Sequence, residues 1–209
     1  MPGKPLQILM AAIGLALAAC ASSTPFAKEA SMSATAATSS GLMMPAKEWP
    51  LRFKSHSFSV ATYDTYDAKV IYAGLVQVKQ DSDDLQPSSA GYGPNYQRGW
   101  SGGHGLIRNF PPPAIVTWRS KDGQAHKAEI DIGEIFKDER ILHNVSREEM
   151  ADLPNGEFQG EPSITLEVND RTIRVWMRAM IFLKKRVEVA GVMRADFQDD
   201  LILAKTYTF

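Results

Sequence analysis

The chain has 209 residues and a formal net charge of −1 at pH 7. A nearly neutral chain has no strong field that would attract nucleic acid or anionic lipid, so we expect no nucleic-acid partner. Hydrophobic residues make up 44% of the chain, which is ordinary for a globular protein, and the single cysteine excludes an internal disulfide framework.

Residues 1–19 have the organisation of a secretory signal peptide. Lys4 supplies a positive charge, and the apolar run ILMAAIGLALAA extends from Ile8 to Ala19. This run is shorter than the roughly 20 apolar residues that a membrane-spanning helix needs. It ends in Leu17-Ala18-Ala19-Cys20, which resembles the lipobox of bacterial lipoproteins. The pattern predicts cleavage before Cys20 and lipidation of Cys20 with acyl chains such as palmitate. The alternative is an ordinary signal peptide followed by a stray thiol.

Ala, Ser and Thr dominate residues 20–47, which show no sustained hydrophobic period. Such a composition predicts a flexible tether. Several acyl chains on Cys20 would anchor the protein stably, because a single chain holds only marginally. Ala21 is similar to the small neutral residue that follows the cysteine in lipoproteins sorted to the outer membrane. This similarity implies a lipid-anchored protein that faces the periplasm, with residues 48–209 as one globular domain.

Most segments of this domain have the composition of β-strands. The candidates, in chain order, are KSHSFSVATY, KVIYAGLVQVK, AIVTWRS, QAHKAEIDI, SITLEV, TIRVWMRAMIF and LILAKTYTF. Two turn signals, Lys121-Asp122-Gly123 and Asn169-Asp170-Arg171, each separate a pair of candidates and predict hairpins. In TIRVWMRAMIF, apolar residues alternate with a mixed set, as expected of a strand with one buried face.

Helical signals are sparse. GEIFKDERILHNV predicts a short helix, Ser146 and Glu149 have the spacing of a capping box, and ADFQDDLILAK is compatible with a helical turn. The sequence predicts no strand from Asp81 to Pro113. The expected fold is therefore mainly β: a single antiparallel β-sandwich-like or α+β domain with one or two short helices.

The stretch GYGPNYQRGWSGGHG, from Gly91 to Gly105, is unusually rich in glycine and aromatic residues. It is not a dinucleotide-binding fingerprint, because Tyr96 occupies the position of the third glycine and Pro94 intrudes. It also lacks the lysine and hydroxyl residue of a P-loop. Phosphate binding of these two types is excluded.

Signals of catalysis and metal binding are equally weak. No two of the four histidines, His56, His104, His126 and His143, stand at a short metal-ligand spacing. The G-x-S-x-G motif of a nucleophilic hydrolase is absent, and Ser101 and His104 are only sequence neighbours. We therefore expect no metal, no cofactor and no enzymatic activity. A hydrolase whose site assembles from distant residues is a further alternative.

Two interpretations of the glycine–aromatic stretch stay open. In the first it is a connection whose glycines permit tight turns and whose aromatic side chains pack on the sheet. In the second it binds a protein partner, since long loops often carry binding sites and Tyr, Trp and Arg dominate binding hot spots. The residues predicted to bind the partner are Tyr92, Tyr96, Arg98 and Trp100, with His104 on the rim.

Several motifs together resemble those of a known family. They are the lipobox, then Gly102-Gly103-His104-Gly105 followed by prolines and Val116-Thr117-Trp118, and then the hairpin that begins Lys121-Asp122-Gly123. The ensemble is similar to small bacterial lipoproteins related to the immunity proteins of antibacterial lipases delivered by type VI secretion. The resemblance implies a membrane-anchored periplasmic binding protein that blocks a lipase effector. The competing class is a structural outer-membrane lipoprotein that supports an envelope or secretion assembly.

Overall fold

The computed structural model describes residues 41–100 and 103–209, so the predicted signal peptide, Cys20 and the tether up to residue 40 lie outside the described residues. Among those described, the chain is mainly β, as the sequence predicts. The strands in chain order are β1 (Met43–Met44), β2 (Ser55–Tyr63), β3 (Thr65–Tyr72), β4 (Leu75–Lys79), β5 (His104–Arg108), β6 (Ala114–Ser120), β7 (Ala125–Ile130), β8 (Leu153–Pro154), β9 (Ser163–Asn169), β10 (Thr172–Arg178), β11 (Ile181–Val189), β12 (Val192–Gln198) and β13 (Leu201–Thr208). A short helix, α1, spans Ile132–Ile135, and 3₁₀ turns span Ser89–Tyr92 and Tyr96–Gly99.

Five strands form the larger sheet, in the order β13-β10-β9-β2-β5. Neighbouring strands are antiparallel except β2 and β9, which run parallel. Because side chains alternate across a strand, every second residue of β9 and β10 points into the core. These core residues, all fully buried, are Ile164, Leu166, Val168, Ile173, Val175 and Met177. The opposite face of this sheet is called the outer face below.

The second sheet has four antiparallel strands in the order β4-β3-β6-β7. Its buried residues, among them Val70, Val116 and Ile130, belong to the same hydrophobic core as those of the larger sheet. Two sheets therefore enclose one core, which is the predicted antiparallel, sandwich-like arrangement.

Both predicted hairpin turns are present. Lys121-Asp122-Gly123 joins β6 to β7, and Asn169-Asp170-Arg171 joins β9 to β10. Residues 69–79, expected as one strand, instead contain the hairpin of β3 and β4. Ala73 and Gly74 both adopt positive φ, 53° and 74°, which is the backbone conformation of a tight two-residue turn.

The other local predictions were partly wrong. GEIFKDERILHNV contributes only the single turn α1, whose first turn is capped by the Asp131 carboxylate. Ser146 and Glu149 make the predicted capping-box contacts, but the chain there is a turn. ADFQDDLILAK lies in β12 and β13, because pairing with β11 and β10 overrides its local preference. β5 lies in the interval 81–113, where the sequence predicts no strand.

The folded domain begins before residue 48. Met43 and Met44 pair with Pro154 and Leu153, and Ala46 is buried. Residues 41–47, predicted as the end of the tether, therefore belong to the domain. Of the helices within residues 41–100 and 103–209, none has the length and apolar character needed to cross a membrane.

The hairpin of β11 and β12 prolongs the β10–β13 pair. Arg178 lies opposite Leu201, and Ile181 lies opposite Gln198, so one register runs through the short break between the two pairs. We call Ile181–Gln198 the arm. The base of the arm is held by backbone hydrogen bonds between Phe182 and Ala151 and between Lys184 and Glu149. At roughly 3.3 Å per residue, β11 extends about 30 Å and β12 about 23 Å.

Candidate functional site

The glycine–aromatic loop, residues 89–100, packs against the outer face. The ring of Tyr96 stands edge-on to that of Tyr63 with centroids 5.3 Å apart, and Trp100 stands edge-on to Trp176 at 6.1 Å. Trp100 Nε1 also donates a 2.8 Å hydrogen bond to Tyr63 Oη. Such edge-to-face pairs stabilise packing beyond the area that they bury. For Tyr96 and Trp100 the geometry favours the first interpretation, in which the loop packs on its own sheet.

Beneath this loop lies a fully buried carboxylate, Glu167 on β9. Its Oε1 accepts hydrogen bonds from Tyr96 Oη at 2.7 Å, from Asn169 Nδ2 at 3.1 Å and from Arg174 Nη1 at 3.2 Å, while its Oε2 accepts one from Trp176 Nε1 at 3.0 Å. A buried charge is tolerated when it is paired and fully hydrogen-bonded, and Glu167 meets both conditions. The loop and the sheet therefore share one polar network.

The five residues predicted to bind a partner separate into two groups. Tyr96 and Trp100 point into the domain. Tyr92 is 61% exposed although its ring contacts Tyr63, Arg98 is exposed beside the outer face, and His104 is exposed on the edge strand β5. Only Tyr92, Arg98 and His104 are thus available to another protein as the loop stands, and their role in binding stays a prediction.

A larger exposed surface lies on the ribbon formed by β10–β13 and the arm. The register is continuous from the pair Arg178 and Leu201 to the pair Phe182 and Phe197, so alternate residues share the outer face up to that pair. A bulge follows in β11 between Phe182 and Arg186, and alternation along β12 then places Met193 on the same side as Phe197. Burial follows this alternation, with Ala179 and Ile181 buried but Met180 and Phe182 half exposed. Phe182 lies opposite Phe197, and the two rings are 6.4 Å apart.

Five large apolar residues therefore line one side of the ribbon, and each is between 45% and 50% exposed. They are Met180, Phe182, Met193, Phe197 and Leu203, and we call them the apolar ribbon face. This surface was not predicted from the sequence, because ADFQDDLILAK, which contains the end of β12, was interpreted as holding a helical turn. The signal was present in the alternation of Met193, Ala195 and Phe197, which is typical of a strand.

The tip of the arm is apolar on its other side as well. Val189 and Val192 face each other across the turn, opposite in direction to Met193, and are 48% and 52% exposed. Charged residues separate these apolar positions: Lys185 pairs with Asp196 at 3.0 Å, and Arg186 donates to the backbone carbonyl of Met193. Within the described residues, no other strand pairs with the β11–β12 hairpin, although apolar residues lie on both sides of its tip.

A serine, a histidine and an aspartate do meet at the β6–β7 hairpin. Ser120 Oγ lies 2.9 Å from His126 Nε2 and donates a 2.5 Å hydrogen bond to Asp122 Oδ1. In a catalytic triad the carboxylate orients the histidine, whereas here it contacts the serine, and Ser120 is fully buried. These contacts hold the hairpin turn, and the pKa of Asp122 is lowered to about 2 mainly by the Ser120 hydrogen bond.

His56, one of the histidines considered for metal binding, is fully buried in the core. Its Nδ1 lies 2.9 Å from Asn109 Oδ1, and its Nε2 lies 3.0 Å from Tyr72 Oη. Since Asn109 Nδ2 donates to the carbonyl of Phe53, its Oδ1 is left to accept from His56 Nδ1–H. Burial lowers the pKa of His56 and raises that of Tyr72, so both side chains are neutral structural groups.

Within the part of the chain that the structure describes, no three His, Cys, Asp or Glu residues are grouped so that they could hold a metal ion. Comparison with known proteins found no matching family model, no matching curated protein and no matching solved structure.

Proposed function

We propose that this protein is a lipid-anchored periplasmic binding protein of the outer membrane, and that it acts as an immunity protein by blocking a secreted antibacterial lipase. The lipobox ending at Cys20 supports the location. The immunity role is supported by the resemblance of two motifs, Gly102-Gly103-His104-Gly105 and the hairpin that begins Lys121-Asp122-Gly123, to those of lipase immunity lipoproteins. In this proposal the protein acts by contact and has no catalytic step of its own.

The observation that carries the proposal is the apolar ribbon face. Large apolar side chains that are exposed together on one side of a strand pair mark interaction sites, because exposing them to water is costly. Phenylalanine and methionine are also enriched in the buried centres of protein interfaces. The arm, with apolar residues on both sides of its tip, has a shape and polarity suited to insertion into a concave apolar cleft, such as the acyl-chain site of a lipase.

In this proposal the centre of the binding surface is the arm, whereas the sequence predicted it in the glycine–aromatic loop. Arg98 borders the groove at the foot of the arm, together with Asp199 and Asp200. The exposed residues of the loop, Tyr92 and Arg98, then supply part of the rim of the interface rather than its core. Anchoring through Cys20 would raise the local concentration of the inhibitor where a membrane-active lipase works.

Photocrosslinking from the arm tests the proposal directly. The acylated full-length protein would carry a benzoylphenylalanine in place of Phe182, and crosslinked proteins would be identified by mass spectrometry. The matched control carries the same probe at Ile115, which is also a half-exposed apolar strand residue but lies in the other sheet. A crosslinked product specific to position 182 would then be purified and assayed for lipase activity with and without this protein.

Two results would support the proposal: a secreted lipase crosslinked at position 182, and inhibition of that lipase by the wild-type protein. Phe182→Ser and Phe197→Ser should each weaken the inhibition at least tenfold, while Ile115→Ser should not. Crosslinking to components of an envelope or secretion assembly would contradict the immunity role and favour the structural alternative. Equal crosslinking from positions 182 and 115 would remove the arm from consideration.

A further inference from the structure

The outer face of the larger sheet has one half that is filled and one half that is hollow. In the filled half, the loop covers Glu167 and Asn169. In the hollow half, four small hydroxyl residues form two adjacent cross-strand pairs between β2 and β9: Ser57 with Ser163, and Ser59 with Thr165. Small side chains at four neighbouring positions leave open space above the sheet.

That space is a half-open cavity of about 410 Å³. The four hydroxyl residues form its floor, and Trp100, Gly103 and Leu201 also line it. Ser59 Oγ and Thr165 Oγ1 are hydrogen-bonded to each other at 2.8 Å, so each keeps further donor or acceptor capacity towards the cavity. The volume lies within the range of pockets that hold small molecules.

A single charged residue among those described lines this cavity, Arg178 on β10, directly opposite Ser163 in the sheet. Its guanidinium makes two long contacts with the loop, from Nη1 to the carbonyl of Trp100 at 3.3 Å and from Nη2 to the carbonyl of Gln97 at 3.5 Å. Its Nε is buried without a hydrogen-bond partner. Within residues 41–100 and 103–209, Arg178 forms no ion pair, whereas the neighbouring Arg174 is paired with Glu167.

A half-buried cation with a buried, unpartnered N–H is an incomplete arrangement. A buried donor without a partner lowers stability, so each such group calls for a specific explanation. Asp199 and Asp200 line the adjoining groove together with Arg178 but form no ion pair with it. The two Nη groups make only these long contacts with the loop, so they keep donor capacity for an anionic ligand in the cavity.

We propose that this cavity binds a small oxyanion, a phosphate or carboxylate group. The oxygens of the anion would accept hydrogen bonds from Arg178, and the polar groups next to the anion would bond to the hydroxyls of Ser57, Ser59, Ser163 and Thr165. Arginine recognises such groups through charge-assisted hydrogen bonds, which are stronger than neutral ones. The cavity shares no residue with the apolar ribbon face, so a failure to bind anions would not count against partner binding by that face. The same chemistry is offered by free phosphoesters and by phospholipid headgroups.

Titration followed by nuclear magnetic resonance tests this site at the atom concerned. The Nε–H signal of Arg178 in the folded domain would be followed while inorganic phosphate, glycerol 3-phosphate or acetate is added at constant ionic strength. A parallel titration adds vesicles of phosphatidylglycerol, which distinguishes binding of a lipid headgroup from binding of a free ligand. We expect a saturable shift of this signal with at least one of the three soluble anions, or with the vesicles if the source is a lipid.

Two substitutions make the experiment specific. Ser57→Val fills the hollow with a residue that favours strands and leaves Arg178 in place. Arg178→Gln removes the charge. Each should lower the affinity about tenfold or more, whereas Arg108→Gln, an exposed arginine on β5, should leave it unchanged. Because Ser57→Val does not touch the loop contacts, it keeps the test valid if Arg178→Gln disturbs folding.

Three outcomes would overturn the proposal. One is a shift that rises linearly with every anion and is equal at exposed arginines, which would indicate an adventitious ion only. A second is a saturable shift that persists in Ser57→Val. The third is the absence of any shift with the soluble anions and with the vesicles.

Discussion

Tyr96 Oη donates a 2.7 Å hydrogen bond to Glu167 Oε1, and this contact ties the glycine–aromatic loop to a fully buried carboxylate. Tyr96 lies in a 3₁₀ turn whose own backbone contacts are few, whereas Glu167 lies in a strand bonded to a neighbour on each side. The order of the loop therefore depends on the side-chain contacts that it makes with the sheet. Removing one of them should release the loop before it disturbs the core.

We expect Tyr96→Phe to loosen the loop while the sandwich stays folded. The substitution keeps the ring against Tyr63 but removes the donor to Glu167, which retains three others. Hydrogen bonds to charged groups contribute about 1.5–3 kcal/mol. Limited proteolysis should cut the variant within residues 81–100 faster than the wild type, with little change in the far-ultraviolet circular dichroism. Tyr92→Phe, at a 61% exposed position of the same loop, is the matched control.

Alkaline pH should open the same contact. Burial first, and then the hydrogen bond to Glu167, raise the pKa of Tyr96 to about 12. An unfolded tyrosine ionises near pH 10, so the stability from this group is complete below pH 10 and is lost as pH rises through about 12. The protein should therefore become sensitive to proteolysis in the loop between pH 10 and pH 12. If Tyr96→Phe shows the same onset as the wild type in that interval, the contact is not the cause.

Glu167 should be far more costly to change than Tyr96. Glu167→Gln leaves Arg174 without its ionic partner and turns an amide N–H towards groups that are themselves donors. Breaking a buried ion pair by removing one partner costs about 3–5 kcal/mol. Urea unfolding of the variant measures this loss. Glu161→Gln, a carboxylate that hydrogen-bonds to an exposed backbone N–H of Leu106, should change the free energy of unfolding by less than about 1 kcal/mol.

The sheets were predictable from the sequence because alternation and turn chemistry are local signals. Ile173, Val175 and Met177 alternate with polar neighbours, and Asp122-Gly123 is a turn dipeptide whatever surrounds it. The arm was not predictable in this way. Its second strand contains Arg194, Asp196 and Gln198, and only the pairing of Ile181 with Gln198 reveals that the ribbon continues past Asp199 and Asp200.

The candidate site was also only partly predictable, for a related reason. The composition of residues 91–105 correctly marked an unusual loop, but it could not distinguish packing from binding. Whether Tyr96 and Trp100 pack on the sheet depends on their contacts with Glu167, which is 71 residues from Tyr96 in the chain, and with Trp176. The hydroxyl floor of the cavity likewise depends on the parallel pairing of β2 with β9, which brings together segments about 100 residues apart.

The arm should be dispensable for folding. Beyond Phe182 and Phe197 the arm has no buried residue, and the partly buried Leu183 is its one side chain that packs against the core. Surface substitutions usually change stability by less than about 0.5 kcal/mol. Replacing Leu183–Asp196 by a two-residue Asn-Gly turn should therefore give a folded protein whose free energy of unfolding falls by no more than about 2 kcal/mol, since Leu183 and Lys184 lose their contacts with Met150 and Glu149 while Phe182 keeps its hydrogen bond to Ala151. Calorimetry measures this change. Collapse of the variant would mean that the arm supports the sandwich rather than projecting from it.

Moderate acid should destabilise the protein through its buried histidines. Burial lowers the pKa of His56, and it also lowers that of His143, against the opposing effect of a hydrogen bond in each case. The unfolded chain binds a proton at each near pH 6.5, before the folded state does, so the stability from these groups is complete above pH 6.5 and falls as pH decreases below it. One such group accounts for up to about 1.4 kcal/mol per pH unit.

The window between pH 6.5 and pH 5 isolates this effect. Glu139, Glu149, Asp122 and Asp196 have pKa values lowered from ordinary values of 4.5 or less, so their contribution is lost only at more acidic pH. Urea unfolding at pH 7.5 and pH 5.5 should show a loss in the wild type that His56→Gln reduces. His143→Gln should reduce it less, because His143 keeps part of its surface exposed while His56 keeps none. An unchanged loss in His56→Gln would mean that the histidine takes up its proton without leaving the core.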